Sequence, residues 1–262
     1  MIKISKLCKK FEGQEVLKGL DLEINQGETL VIIGRSGCGK SVLLKHIIGI
    51  LDPDSGQVYV DNQHVAALKG KDLVKLRMKF GMLFQAAALF DSLNVFENVG
   101  FALLEHTDLS REEIHQRVKQ ALLSVDLPDI EKKKPAELSG GMKKRVGLAR
   151  AICNKPEIIL YDEPTTGLDP IMADMINDLI IRLKEKLKVT SIVVTHDMVS
   201  AYKVATRIAM LYDGKIIAQG TPEEIKNTTD PFVRQFITGA AQGPITDRRE
   251  QMAEDIKITG KG

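Results

Sequence analysis

Two kinds of apolar pattern divide the chain into predicted strands. Apolar and polar residues alternate near the N-terminus, as at Ile2 and Ile4, and this alternation predicts strands over residues 1–33. Continuous apolar, β-branched runs predict buried strands, and they lie at 29–33, 158–161 and 189–194. We therefore predict an α/β fold in which an antiparallel β layer flanks a core sheet.

Helical patterns dominate the middle of the chain. The segment from about 94 to 154 has no strand-like run, so we predict a helical lobe inserted into the α/β core. Within it, residues 110–113 (Ser-Arg-Glu-Glu) form a capping box for a helix running to about Val125. We place the domain at residues 1–238. The polar, glycine-containing stretch at 239–262 predicts a loosely held C-terminal tail.

The segment after the first buried strand carries candidate chemistry. Residues 34–41 match the phosphate-binding pattern G-x-x-x-x-G-K-[ST] between a strand and a helix, the context that this pattern requires. Glycines let backbone N–H groups turn around an anion, and the helix N-terminus adds unpaired donors. Lys40 can reach the β- and γ-phosphates, and the Ser41 hydroxyl can bind Mg²⁺. The alternative, a glycine turn that binds nothing, is disfavoured by this context. The predicted nucleotide contacts are Gly34, Ser36, Gly37, Cys38, Gly39, Lys40, Ser41 and Val42.

Polar residues follow two of the other buried strands. Asp162 and Glu163 lie at the end of one strand, where open α/β sheets place their ligands. Asp162 can hold Mg²⁺, usually through water, and Glu163 can accept a proton from the attacking water or orient it. His196 follows the next strand, and this position makes it a candidate contact for the γ-phosphate. A lone histidine is more often structural.

A second helix start has the features of an anion site. Ser139 is a plausible N-cap, and Gly140 and Gly141 leave the first amides of the helix bare. This site has no lysine at the position that corresponds to Lys40 and no strand before it. An ordinary N-capped helix is the alternative. One triphosphate cannot readily use both anion sites of a single chain if the helical lobe projects away from the sheet. A partner subunit could bring the two sites together.

Three further features have alternative interpretations on the residues alone. Residues 86–99 form an unusually apolar connection that is either buried under the helical lobe or a partner surface. Phe11 stands near a turn between the first two strands, where it either stacks on an adenine base or covers the sheet edge. Cys38 lies beside Lys40 at a helix N-terminus, a setting that can lower a thiol pKa, although we favour a small residue at a tolerant position.

Composition narrows the function classes. With 37 basic and 35 acidic residues among 262, the net charge is only +2, which argues against nucleic acid as a partner. No apolar run approaches the ~20 residues that a membrane helix needs, and the first residues do not begin a signal peptide, so any action at a membrane requires a partner protein. Three scattered cysteines fit a reducing cytosol.

Taken together, these motifs resemble an ATP-binding-cassette (ABC) nucleotide-binding domain over residues 1–238. The pieces that carry the resemblance are the P-loop at 34–41, Gln85, the signature segment at 138–142, the strand and carboxylates at 158–163, residues 167–169 and His196. The resemblance implies a head-to-tail homodimer that holds ATP between one P-loop and the other subunit's Ser139, Gly140 and Gly141. It further implies Phe11 as the adenine-stacking residue and Asp169 as part of the nucleotide site. Gln85 is implied as a catalytic and Mg²⁺-binding residue that opens the contact with a membrane permease.

A narrower resemblance concerns the cargo. Strings such as LSGGMKKRVGLARAI and LFQAAALFDSLNVFENV look like the ATPase of Mce/Mla-type phospholipid transport systems, with Met142 where most ABC signatures have Gln. This resemblance implies a peripheral position on the cytoplasmic face of the inner membrane and an MCE-type lipid-binding partner. Another cargo, a soluble ABC ATPase acting on DNA or ribosomes, and a small-molecule P-loop kinase are the alternatives. The kinase would leave the signature segment without a purpose.

Overall fold

A computed structural model describes residues 1–247, and the predicted strands and helices are found there. The strands are β1 (Ile2–Phe11), β2 (Gln14–Ile24), β3 (Thr29–Ile33), β4 (Ser55–Val60), β5 (Gln63–His64), β6 (Phe80–Leu83), β7 (Ile158–Asp162), β8 (Thr190–Thr195), β9 (Arg207–Tyr212) and β10 (Lys215–Gly220). The α-helices are α1 (Lys40–Ile47), α2 (Gly70–Met78), α3 (Val95–His106), α4 (Arg111–Ser124), α5 (Gly140–Cys153), α6 (Pro170–Leu187), α7 (Met198–Val204), α8 (Pro222–Lys226) and α9 (Pro231–Thr238).

Within these residues the strands form two sheets, which confirms the predicted α/β fold. The antiparallel layer has the order β2-β1-β4-β5. The core sheet has the order β10-β9-β3-β8-β7-β6, and its strands from β9 to β6 are parallel. Because parallel strands end at the same edge of a sheet, the segments after β3, β6, β7 and β8 are brought together there.

The apolar alternation at the N-terminus is explained by burial of one face of the antiparallel layer. Ile2, Ile4 and Leu7 of β1 pack with Leu30 and Ile32 of β3 in one hydrophobic cluster. That cluster also holds the buried face of α1. Helix α1, which follows the P-loop, is therefore fixed between the two sheets, and this packing positions the loop that precedes it.

The helical lobe packs on the other side of the core sheet. Its helices α3, α4 and α5 share a second hydrophobic cluster with residues of β3, β7, β8 and α6. Ser110 accepts a hydrogen bond from Glu113 N and the Glu113 side chain accepts one from Ser110 N, as the capping box predicts. The helix that follows, α4, ends at Ser124, one residue before the predicted end.

The first part of the predicted tail is packed rather than loose. Ile245 is buried, and its backbone N–H donates to the Gln235 side chain of α9 at 2.7 Å. The Gln235 amide in turn donates to Ala240 O and to Thr246 Oγ1. A polar composition therefore did not mean loose attachment over residues 240–247. The remainder of the predicted tail lies outside the described residues.

Candidate nucleotide site

The phosphate loop connects a buried strand to a helix whose first amides have no side-chain cap. All five residues of β3 are buried, and the chain then turns at Gly34, where an added Cβ would overlap the carbonyl oxygen of Leu211. At the N-cap of α1, Gly39 has a left-handed φ of 105°. No side chain of the described residues caps this helix. The open helix start leaves N–H donors for an anion, as the motif requires.

Lys40 is almost completely buried at the start of α1. Its ammonium group donates to Gly34 O at 2.8 Å and Arg35 O at 3.0 Å, and lies 3.4 Å from Glu163 Oε1. The Lys40 side chain therefore lies over the phosphate loop, and its ammonium group binds two carbonyl oxygens of that loop. Its flexible four-carbon stem allows the ammonium to exchange these carbonyl acceptors for phosphate oxygens.

Ser41 and Asp162 supply adjacent oxygen atoms. The Ser41 hydroxyl donates to Asp162 Oδ1 at 2.9 Å. Burial raises the pKa of the Asp162 carboxyl, and the nearby Glu163 adds to this rise, while the Ser41 hydrogen bond and Lys40 oppose it. A hydroxyl beside a carboxylate whose charge is penalised by burial fits a divalent cation. The described residues contain no cluster of three metal-binding side chains, so such a cation would need phosphate and water oxygens as its further ligands.

Glu163 lies just past β7 with its carboxylate enclosed by donors. It is buried and has a left-handed φ of 50°. His196 Nδ1 lies 2.9 Å from Glu163 Oε2. The same oxygen accepts from Thr166 Oγ1 at 3.1 Å and, more weakly, from Thr195 Oγ1 at 3.4 Å. These contacts orient the carboxylate at the edge of the core sheet where the phosphate loop begins.

One surface depression joins residues that are far apart in the chain. It is lined by Val16, Ser36, Gly37, Gly39, Lys40, Ser41, Val42, Gln85, Glu163 and His196. The P-loop, Gln85, Glu163 and His196 are therefore brought together, as the strand ends predict. Asp162 lies behind Ser41 and reaches the site through its hydrogen bond to that residue.

Four residues around this site were not predicted from the sequence. Val16 lines the depression from β2, where it reads only as an apolar strand residue. Thr166 and Thr195 hold the Glu163 carboxylate, and Lys144 donates to the Glu163 backbone carbonyl. Thr166 and Thr195 are next to recognised motifs in the sequence, and this proximity was the only available signal of a role at the site. Nothing local distinguishes Lys144 from the neighbouring basic residues.

The signature residues occupy a different position from the P-loop residues. Ser139 is the N-cap of α5, and its hydroxyl accepts from Met142 N at 3.3 Å. None of Ser139, Gly140 and Gly141 lines the depression that the P-loop lines. Asp169 is also absent from that lining, and its Oδ1 caps α6 by accepting from Ile171 N and Met172 N at 3.0 Å each. These residues are therefore on separate helix starts in the chain.

Phe11 and Cys38 have surroundings that bear on their alternatives. Phe11 lies at the tip of the β1–β2 hairpin, is 41% exposed and has the Lys9 ammonium 5.6 Å from its ring centre. An exposed ring is compatible with stacking on a base and with covering the sheet edge. Burial raises the pKa of the Cys38 thiol more than Lys40 lowers it. This direction agrees with the interpretation of Cys38 as a small loop residue rather than a reactive thiol.

The apolar connection, called here the Gln85 segment (residues 85–99), is both anchored and exposed. Ala87, Val95 and Val99 are buried, and the Asn98 amide donates to Phe90 O, Leu93 O and Asn94 O. Phe90 nevertheless remains 46% exposed beside Phe101. The segment therefore divides between the two alternatives, with its helical end in the core and an aromatic surface near Phe90.

Comparison with known proteins assigns the chain to a family. The family described as "ABC transporter" matches residues 17–166, more than half of the chain. The chain belongs to the ABC transporter family. As the resemblance implied, this ABC protein binds ATP and is the ATP-hydrolysing subunit of a transporter. Its described helices include none that is long and apolar enough to cross a membrane.

Individual ABC proteins match over most of the chain. The chain is 40% identical over 245 residues to the intermembrane phospholipid transport system ATP-binding protein MlaF of Haemophilus influenzae, covering 94% of this chain and 93% of MlaF. It is 38% identical over 265 residues to the probable ribonucleotide transport ATP-binding protein Mkl of Mycobacterium leprae, covering 100% of this chain and 76% of Mkl. Among solved structures, a dimeric ATP-binding cassette in a post-hydrolysis state with bound ADP and Pi has a TM-score of 0.78 and 36% identity, covering 85% of this chain and 99% of the other.

Proposed function

We propose that this ABC subunit dimerises head to tail around two ATP–Mg²⁺ and thereby drives a separate membrane permease that moves phospholipid between membranes. The subunit lies on the cytoplasmic face of the inner membrane, and an MCE-type lipid-binding protein belongs to the same system. The single observation that carries the dimer is that none of Ser139, Gly140 and Gly141 lines the depression that Lys40, Glu163 and His196 line. Each chain has an uncapped helix start at the P-loop and a second helix start at α5, where the Ser139 hydroxyl caps only the Met142 N–H. A second copy therefore supplies the other half of the site for one phosphate tail.

The residues of the depression have distinct roles in this proposal. Lys40 binds the β- and γ-phosphates, and His196 contacts the γ-phosphate while holding the Glu163 carboxylate at 2.9 Å. Glu163 accepts a proton from the attacking water, because its carboxylate is already oriented by Thr166 and Thr195. Mg²⁺, held by Ser41 with Asp162 and Gln85, would neutralise charge that develops on the phosphate oxygens.

The rest of the nucleotide contacts come from backbone and from the partner chain. The amides of Ser36, Gly37, Cys38 and Gly39, with those following Gly39 in α1, surround the phosphates. The partner's copy of Ser139, with the two glycines after it, closes the other side, and Phe11 stacks on adenine. Asp169 acts through the start of α6, which it caps.

ATP binding and hydrolysis then change the dimer between an open and a closed state. To shift open and closed dimers from about 1:99 to 99:1, ATP must favour the closed state by roughly 5.5 kcal/mol. Charge-assisted hydrogen bonds from two P-loops and two signature segments can supply a difference of that size. Hydrolysis breaks the bridge, and the Gln85 segment, with Phe90 exposed, passes the movement to the permease.

Phospholipid as cargo is supported by similarity to MlaF, because no described residue of this subunit needs to touch a lipid. Mkl is described as a probable ribonucleotide transport protein and is nearly as similar, so a nucleotide cargo is the second candidate. The two candidates share the same ATPase mechanism and differ only in the permease and its ligand.

Purification of the tagged chain from detergent-solubilised membranes tests the proposal. We expect a polytopic membrane protein to co-purify, with phospholipid detected in the complex by mass spectrometry. A complex that contains ribonucleotide cargo instead of lipid would support the second candidate. Co-purification of nucleic acid or ribosomes without any membrane protein would reject the transport function proposed here.

A further inference from the structure

Lys144 is a buried cation that contacts the backbone of two residues of the depression without lining the depression itself. It lies on α5 in the helical lobe and is only 6% exposed, whereas lysine is rarely buried unless its charge is compensated. Its ammonium donates to the backbone carbonyl of Gln85 and, at 3.3 Å, to that of Glu163. It does not line the depression that would hold ATP. Lys144 thus contacts two candidate catalytic residues without facing the nucleotide.

The two acceptors lie where the core sheet stops. β6 ends at Leu83 and its parallel neighbour β7 ends at Asp162, so the carbonyls of Gln85 and Glu163 lie just past the strand ends. One ammonium group therefore joins two loops that begin on adjacent strands. Burial lowers the pKa of Lys144, while the carboxylates of Glu163 and Asp162 oppose this change.

The backbone conformation of Glu163 gives this contact a consequence. At a φ of 50°, Glu163 is in the left-handed region, which side-chain-bearing residues adopt only when their surroundings hold them there. Its N–H donates to Val194 O at 2.9 Å, and its carbonyl accepts from Lys144. A rotation of this residue's backbone would swing the carboxylate away from His196 and Lys40.

We propose that Lys144 is a positioning residue, whose ammonium holds the Glu163 backbone and the first residue of the Gln85 segment in the geometry that ATP hydrolysis requires. This inference rests on the proposed role of Glu163. Because Lys144 belongs to the helical lobe, a movement of that lobe would also shift the two loops that contain Gln85 and Glu163. Lys144 affects the rate of hydrolysis and leaves ATP binding unchanged.

A purely structural role is the competing explanation, since two buried carbonyls need a donor in any case. Arg150 offers a matched control on the same helix. Its guanidinium also donates to two carbonyls of the Gln85 segment, Ala88 O and Ala87 O, at 2.6 Å each. It has no hydrogen bond or ion pair with Glu163 among the described residues. Replacing Arg150 therefore disturbs the same segment without releasing the Glu163 backbone.

The experiment compares Lys144→Met, Lys144→Arg and Arg150→Met in the full chain, each co-purified with its membrane partner. Methionine keeps an apolar stem of similar length and removes the donors. For Lys144→Met we expect kcat per folded subunit to fall at least about tenfold, with KM and the ATP Kd within about twofold of the parent. Lys144→Arg recovers most of the lost rate. Arg150→Met lowers Tm but keeps kcat within about threefold.

The positioning role is overturned if Lys144→Met keeps kcat within about threefold of the parent, or if ATP affinity falls in proportion to kcat. Failure of folded Lys144→Arg to recover the rate also rejects it. If Lys144→Met does not fold, Lys144→Gln is measured in the same way, and loss of folding in both variants assigns Lys144 a structural role only. A parent complex without ATP turnover, or one unaffected by Glu163→Gln, would instead reject the proposed function itself.

Discussion

The Glu163 side chain is held by its neighbours in the way that its proposed role as a base requires. Its carboxylate contacts Lys40, His196, Thr166 and Thr195, and Glu163 lines the depression together with the phosphate loop. A carboxylate held this way loses little freedom when it accepts a proton from water. Because glutamine has the same size and keeps one acceptor oxygen, we expect it to take the place of Glu163 without a change of fold.

Glu163→Gln is therefore expected to stop turnover and keep ATP bound. General-base catalysis contributes about 10²–10⁴ in rate, so kcat should fall by a factor in this range. Size-exclusion chromatography with ATP and Mg²⁺ should show a dimer that the parent does not accumulate. Glu185→Gln, an exposed position on α6, is the control and should behave as the parent. Undiminished turnover in Glu163→Gln would remove Glu163 from its role.

Asp162 gives a pH prediction at the same scale. Because burial raises the folded-state pKa of Asp162 above its ordinary value of 3.8, the native state binds this proton more tightly than the unfolded state does. The ionised carboxylate therefore destabilises the protein fully above the folded-state pKa, partly between the two values and not at all below 3.8.

Asp162→Asn should then raise Tm at pH 7 in buffer without Mg²⁺ or nucleotide, because asparagine keeps an acceptor for Ser41 and loses the charge. The gain should shrink as the pH is lowered toward the unfolded-state value, and ATPase activity should fall at least about tenfold. Differential scanning calorimetry across pH measures the first effect. A variant less stable than the parent at pH 7 would contradict this account of Asp162.

At the scale of elements, the start of α5 is the part of the chain that the dimer proposal depends on. Ser139 and Ser110 are both N-caps whose hydroxyls accept from a backbone N–H, at 3.3 and 3.2 Å. Only the first belongs to the signature segment. The two caps therefore separate a role in helix stability from a role in the shared site.

Ser139→Ala and Ser110→Ala should each lower the free energy of unfolding by about 0.5–2 kcal/mol, the usual cost of losing a cap. In the Glu163→Gln background, Ser139→Ala should also weaken the ATP-dependent dimer, whereas Ser110→Ala should not. Chemical denaturation and sedimentation velocity measure the two effects. Equal dimerisation in both variants would mean that Ser139 does not complete the partner's site.

At the scale of the whole molecule, the Gln85 segment is the surface that the permease proposal depends on. Phe90 is 46% exposed although it lies against Phe101, and it stands on the same connection as Gln85. Aromatic residues, phenylalanine included, are enriched at protein interfaces, and this ring stands on an anchored loop. The backbone anchors from Arg150 and Asn98 keep that ring in place without hiding it.

Phe90→Ser should reduce co-purification of the permease by about tenfold or more while ATP binding by the chain is retained. Ile217→Ser removes an exposed apolar side chain on β10 instead and should leave the complex intact. Quantitative mass spectrometry of the purified complexes measures the yield. The same amount of permease with both variants would assign the contact to another surface.

The sequence by itself determined the parts of this protein whose logic is local. The sequence correctly predicted the loop between β3 and α1, the positions of the carboxylates at the end of β7 and of His196 after β8, and the caps at Ser110 and Ser139. Each of these features depends on neighbours within a few residues. Apolar patterns also predicted the core sheet and the antiparallel layer that flanks it. Only the tertiary structure placed the Lys144 ammonium at the Glu163 carbonyl and Val16 in the depression, and showed that Ser139 does not line the depression with Lys40. These relations join residues that are distant in the chain, so they depend on which strands pair and how the helical lobe packs, and no local pattern of side chains encodes either.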